Sequence, residues 1–150
     1  MPRLATATAA WAAGFVAAEG TLIAHRAATR SKFMLAVELG LGDLAACELL
    51  LDFFGCGTVH HYPRRQPHHD DSVRFQVSRH RDLVERVVPF LDEHLPPSYK
   101  RTQYEAWRAE LLRYWEVDAR RRRPCAVDGC DEPRRAKGLC RHHYYETYGR

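Results

Sequence analysis

Two stretches of the chain alternate so strictly that they limit what the rest can build. Lys32–Leu39 puts Phe33, Leu35, Val37 and Leu39 on one face, and Ser72–Ser78 turns Val73, Phe75 and Val77 inward with Arg74, Gln76 and Ser78 outward. A period of two is the mark of a β-strand with one buried face. Thr21–Arg26 and Thr58–Tyr62 are the other strand candidates, set off by "ATRS", by "GCG" and by the loop "PRRQPHHDD". Elsewhere the period lengthens to that of a helix. Thr6 or Thr8 can cap a helix running to about Ala18. Leu44–Phe54 carries a stripe of Leu44, Cys47, Leu50 and Leu51, and Asp82–Leu91 carries Leu83, Val87 and Phe90. After "HLPPS" a last long helix runs from Tyr99 to about Val117. The order is αββαββα, which predicts an α+β fold: a four-stranded antiparallel sheet with its helices on one face.

Such a sheet keeps one face open. Its outward residues are Arg74, Gln76 and Ser78 and, by alternation, His60 and Tyr62. Flanking segments add His25, Arg26, Arg30, Lys32, Arg64, Arg65, His68 and His69, with Arg101 near the start of the last helix. These side chains suit either a solvated polar face or a platform that bonds phosphates and base edges of DNA. Alternation alone favours neither.

Composition narrows the classes. The 150 residues are 45% hydrophobic and 28% charged, which excludes a disordered chain. That length makes one ordinary domain plus a small appendage. The formal charge of +4 is uneven: residues 120–150 hold nine Arg/Lys against four Asp/Glu, and the remainder fourteen against fifteen. The basic excess begins at "RRRRP", Arg120 to Pro124, which reads as a linker between a body of residues 1–119 and a module of residues 125–150. No apolar run approaches the roughly 18–20 residues of a membrane span. The early apolar stretch has little leucine and holds Trp11 and Gly14 in its middle, unlike a secretory leader. The expected setting is therefore cytoplasmic, with no membrane partner.

Within "AAGFVAAEG", Ala12 to Gly20, one carboxylate, Glu19, closes a run of small residues. Ala10, Ala13, Gly14, Ala17 and Ala18 fall at helical spacing and make a flat stripe that a second backbone can approach closely.

This stretch resembles the LAGLIDADG motif of homing endonucleases. "FFGCGTV", Phe53 to Val59, is similar to the family's Phe-Gly-x-Gly turn into the third strand. "VVPFLDEHLPPSYKRTQYEAW", Val87 to Trp107, is similar to its later segment, in which a Pro-Phe helix end leads to a lysine and an aromatic-rich helix. The resemblance spans most of residues 9–117 and implies a saddle-shaped, double-stranded-DNA-binding scaffold. It also implies a homodimer, since only one copy of the motif is present, and a near-palindromic target. Ala10, Ala13, Gly14 and Ala17 would form the dimer interface. Glu19 would hold magnesium for phosphodiester hydrolysis, with Gly20 as backbone neighbour leaving room for metal and phosphate. Lys100 would stabilise developing charge at the scissile phosphate. No small-molecule substrate is implied. Two positions depart from the pattern: the family's upstream acid is Ala17 here, and its late second-strand polar residue is Leu39 or Gly40. A non-cleaving DNA-binding regulator, or an RNA maturase, on the same scaffold is the alternative function. A zinc-stapled protein-interaction module is a third.

The tail carries its own signal. Cys125, Cys130, Cys140 and His143 form C-x4-C-x9-C-x2-H, with Gly129 and Gly138 available for turns. That spacing predicts a structural zinc site. Cys140 and His143 lie three apart on one face of a short helix starting near Leu139, which favours His143 over His142. The module resembles small zinc modules appended to mobile-element DNA enzymes, and four protein ligands would give it no catalytic role.

Overall fold

In the computed structural model, residues 7–27, 31–121, 123–130 and 132–149 are described. The chain divides into two compact units, one ending at Leu111 and one beginning at Leu112.

The first unit opens with helix α1 (Ala9–Glu19), capped by the Thr8 hydroxyl, which accepts from the Trp11 backbone N–H at 3.2 Å. No loop follows. Strand β1 (Gly20–His25) starts at the next residue and pairs antiparallel with β2 (Lys32–Gly40). A single 3-10 turn leads into α2 (Leu44–Phe54), then β3 (Thr58–Tyr62) and β4 (Ser72–Val77). All pairings are antiparallel and the strand order is β1-β2-β4-β3, so the two strictly alternating strands are the central ones.

Their inward residues are the core. Leu35, Val37, Val73, Phe75 and Val77 are fully buried, and Phe33 nearly so. Each such side chain contributes about 1.5–3 kcal/mol when withdrawn from water. Helices α1 and α2 cover this face. The buried side of α2 is Cys47, Leu50 and Phe54, while Leu44, expected in the stripe, is exposed. Helix α3 covers residues 80–94 and contains a π-helical turn at Leu83–Val87 just before Pro89. Proline has no N–H for the carbonyl of Glu85, and the wider turn re-pairs the backbone around that gap. The "FFGCGTV" turn is tight because Gly57, at φ +95°, passes so close to β4 that a Cβ would lie 2.5 Å from the Gln76 carbonyl oxygen.

Helix α4 (Tyr99–Arg121) contributes buried Tyr104, Trp107 and Leu111. It continues through Arg121, so the expected 120–124 linker begins inside the helix; Arg122 lies outside the described residues. Among the described residues, no helix is long and apolar enough to cross a membrane.

The second unit is held by two small bridges, Pro124 with Pro133 and Ala136 with Leu139, and ends in helix α5 (Arg141–Tyr148). Gly129 and Gly138 sit in its two turns, as the spacing predicts.

Candidate functional site

The junction of α1 and β1 gathers the first set of residues. Glu19 is the last residue of the helix and is exposed, and among the described residues it has no hydrogen-bond or ion-pair partner. Eighty residues further on, Lys100 in the first turn of α4 donates from Nζ to the Gly20 carbonyl oxygen at 2.5 Å. The fold thus sets a lysine beside the helix-terminal acid, a pairing no local pattern could specify. Gly20 is a glycine for a reason different from the expected one. Its Cβ would lie 2.4 Å from the Val16 carbonyl oxygen, so it is the helix's own last turn that excludes a side chain.

The stripe on α1 also needs one correction. Ala13 is buried inside its own chain with Ala12 and Val16, because it faces the core. The open part is Ala10, Gly14, half-buried Ala17 and Ala18, and a Cβ added at Gly14 would meet nothing within 4 Å.

The sheet's outer face is polar across β3 and β4, as alternation predicts, while Ile23, Met34 and Ala36 make it apolar toward β1. Register aligns Glu38, Arg74 and His60 in one row, Ala36, Gln76 and Thr58 in the next, and Ser72 with Tyr62 at the edge. Arg74 donates from Nε to a Glu38 carboxylate oxygen at 2.9 Å and from Nη2 to the same oxygen, and its guanidinium lies 4.9 Å from the centre of the Tyr62 ring. The Arg74 bond, with a second from the Ser72 hydroxyl at 2.9 Å, holds the Glu38 carboxyl below the usual range. His60 Nε2 meets the Thr58 hydroxyl at 2.9 Å. Glu38, Tyr62, Arg64, Arg65, His68 and Arg74, with neighbouring loop residues, line an open groove of about 920 Å³. The loop is tied at Asp71, whose carboxyl is lowered by the Arg64 backbone N–H and by His61.

His25 and Lys32 pair across the end of the β1–β2 ladder, both exposed. Ser78 is exposed just beyond β4, and Arg30 lies outside the described residues. Two further expected DNA contacts are engaged by the protein itself. Arg26 pairs with Glu110 of α4. Arg101 donates from Nη1 to the carbonyls of Leu91, Asp92 and Leu95 at 3.2, 3.3 and 2.9 Å, and from Nε to Glu105. Those carbonyls lie at the C-terminal end of α3, where Leu91 also accepts from the Leu95 backbone N–H at 3.1 Å, so Arg101 is a helix cap rather than an open cation. Beside it, the Tyr104 hydroxyl meets the Asp92 carboxylate at 2.7 Å and the Val88 carbonyl at 3.0 Å. Burial, helped by Asp92, pushes that phenol up. The sequence reading missed Glu38 and this network, although the facing of Glu38 and Arg74 follows once strand order is known.

In the second unit, one ligand atom from each of Cys125, Cys130, Cys140 and His143 lies within 4.8 Å of the others, so the cluster could hold a metal. His143 Nδ1 is 3.2 Å from Cys125 Sγ and 3.3 Å from Cys140 Sγ. His142 instead points to Glu146, at 3.2 Å. Burial works to raise the Cys125 thiol, but backbone N–H groups of Val127 and Cys140, with the neighbouring His143, outweigh it and bring the thiol down to about 6.

The first unit thus presents an open four-stranded sheet with an acid at the end of α1, and the second a Cys/His cluster that could hold a metal. The LAGLIDADG endonuclease family model matches residues 12–111, and the chain belongs to that family, whose members are generally DNA-cleaving and use divalent metals. No curated protein matches the sequence. Among solved structures, the chain is similar to the homing endonuclease I-TnaI, at 22% identity and TM-score 0.64, covering 76% of this chain and 78% of that one. It is also similar to I-GzeII, in complex with its DNA target, at 19% identity and TM-score 0.66, and to meganuclease I-SmaMI, bound to uncleaveable DNA, at 20% and 0.63. The chain spans only 38% of the length of either of those two. At these identities the likeness establishes the fold.

Proposed function

We propose that the chain is a site-specific DNA endonuclease that acts as a homodimer on a near-palindromic duplex. The carrying observation is the meeting of Lys100 with Gly20 next to Glu19, which has no partner among the described residues. In a dimer packed through Ala10, Gly14, Ala17 and Ala18, the two Glu19 carboxylates approach one another. Two adjacent carboxylates repel unless a cation lies between them. An exposed, unpaired carboxylate is a suitable hard oxygen donor for magnesium, so Glu19 and its mate would hold it. The ion, when bound, supplies activation of water and stabilisation of the leaving oxygen. Lys100, anchored by the Gly20 carbonyl, carries a positive charge to the same place, where it offsets charge developing on the phosphate. The open sheet face supplies the duplex-binding surface, with Lys32, Arg64 and Arg65 as exposed cations.

The tail cluster is proposed as a structural zinc site. A tetrahedron built on zinc–sulfur bonds of about 2.3 Å has ligand–ligand edges of about 3.8 Å. The Cys130–Cys140 separation is 3.9 Å, and the two sulfur–nitrogen edges to His143 are slightly shorter. A closed set of four ligands serves folding and not catalysis.

Ala17 and Leu39 favour a second reading, a non-cleaving DNA-binding regulator on this scaffold. Incubating the purified protein with a duplex library, with and without magnesium, separates the two. Magnesium-dependent cuts at a unique site support the nuclease; enrichment without cutting supports the regulator.

A further inference from the structure

An acid in the middle of a surface meant for DNA is a contradiction that asks for a reason. Glu38 lies on the open face of a central strand, directly opposite Arg74 on the other central strand. Its two oxygens are both engaged, one by Arg74 and one by Ser72. Arg74 in turn is flanked by the carboxylate along its Nε–Nη2 edge and by the Tyr62 ring, over which its Cζ lies 4.9 Å from the centre.

We propose that Arg74 is a base-reading residue, set by Glu38 and Tyr62 to take the guanine of a G·C pair in the major groove, and that it is not a phosphate contact. This rests on the DNA-binding reading above. Charge disfavours a phosphate here. Phosphate contacts draw on net positive charge, and the Arg74–Glu38 pair has none to offer. Glu38 stays ionised because Arg74 and Ser72 hydrogen-bond its charged form. A phosphate on Arg74 would sit beside that carboxylate. A guanine edge is neutral and presents two acceptors, O6 and N7, to a fork of two donors.

Geometry favours a guanine. A guanidinium has five N–H donors. Glu38 engages Nε–H and one from Nη2, and among the described residues Nη1 has no acceptor. The terminal Nη1–Nη2 edge therefore keeps two parallel donors, the arrangement that matches guanine bidentately. The Glu38 carboxylate has lone pairs to spare and can accept from the N4 amine of the paired cytosine. Holding the arginine in place beforehand reduces the side-chain entropy lost when the base binds.

The test is selection of bound duplexes from a randomised library, without added magnesium, by the wild-type chain and by Arg74→Ala, Arg74→Lys and Glu38→Gln. The wild type is expected to enrich guanine at one position of each half-site. Arg74→Ala should lose that preference by about 5–150-fold at that position alone, with the dependence of affinity on salt unchanged. Arg74→Lys keeps the charge but not the fork, so it should lose the guanine as well. Glu38→Gln should weaken the preference while leaving the other positions alone. A uniform loss of affinity in Arg74→Ala, with the salt slope smaller by about 0.9 per chain, makes Arg74 a phosphate contact and overturns the assignment. Identical selections by wild type and Arg74→Ala reduce the pair to a surface ion pair and overturn it too. If the wild type enriches no duplex, the DNA-binding reading falls and takes this assignment with it.

Discussion

Glu19 and Lys100 show how little chemistry a single residue carries without its surroundings. A helix-end glutamate is common; one that is exposed, unpaired among the described residues and next to a carbonyl bonded by a distant lysine is what the proposed cation site is built on. Glu19→Gln keeps the shape and removes the charge. It should abolish magnesium-dependent cutting of a cognate duplex, while duplex affinity stays level or rises because a carboxylate near phosphates is repulsive. If Glu19→Gln cuts as fast as the wild type, the assignment of the acid is wrong. Lys100→Met removes the cation and should lower the single-turnover cleavage rate by about 10²–10³. Binding should change far less, since only one charge per chain is lost. Arg101, its neighbour, separates the roles of adjacent cations. Arg101→Ala removes the side-chain donor to the Leu91, Asp92 and Leu95 carbonyls at the end of α3 and should cost about 1–2 kcal/mol in denaturant unfolding. It should leave the salt slope of DNA binding unchanged, because its guanidinium is turned to the protein.

Helix α1 divides its small residues between two tasks. Ala12, Ala13 and Val16 seat it in its own core, and Ala10, Gly14 and Ala18 stay exposed. A leucine at position 14 therefore meets nothing in the single chain and also improves helix propensity. In a dimer the same leucine stands where two backbones meet. Gly14→Leu is accordingly expected to leave the unfolding transition of the monomer level or higher. It should weaken self-association by about 1–3 kcal/mol in sedimentation equilibrium. Unchanged association would move the dimer contact off this stripe and, with it, dissolve the paired-carboxylate site.

For the whole molecule, the two compact units imply two separable stabilities. The first has a core of sheet and helices. The second has few aliphatic side chains, and small modules of that kind generally need a staple, the role of the proposed zinc. One zinc per chain is expected by elemental analysis. Chelation should abolish amide-exchange protection in residues 125–149 while residues 9–111 stay protected. Loss of protection in both would mean that the first unit cannot stand without the second. Exposed Arg134, Arg135, Lys137 and Arg141 make the second unit basic. Truncation after residue 119 should weaken binding alike on all duplexes and reduce the salt slope by about 0.9 for each phosphate contact removed.

What the sequence determined by itself is whatever repeats over short distances. Strand alternation told which side chains face the core, because successive side chains in a strand point to opposite faces whatever the neighbours are. The cysteine and histidine spacing told which four side chains meet in the tail, because turns and one helical step bring residues together within a few positions. The small-residue run before Glu19 marked the helix, the acid and the family. Tertiary structure decided the rest. The order β1-β2-β4-β3 put Glu38 against Arg74, and no local period encodes which strands become neighbours. Packing of α4 brought Lys100 to Gly20 across eighty residues and turned Arg101, one position on, toward the end of α3. It also turned Ala13 inward. A side chain's partner depends on where whole elements dock, and docking is settled by the burial of their apolar faces together.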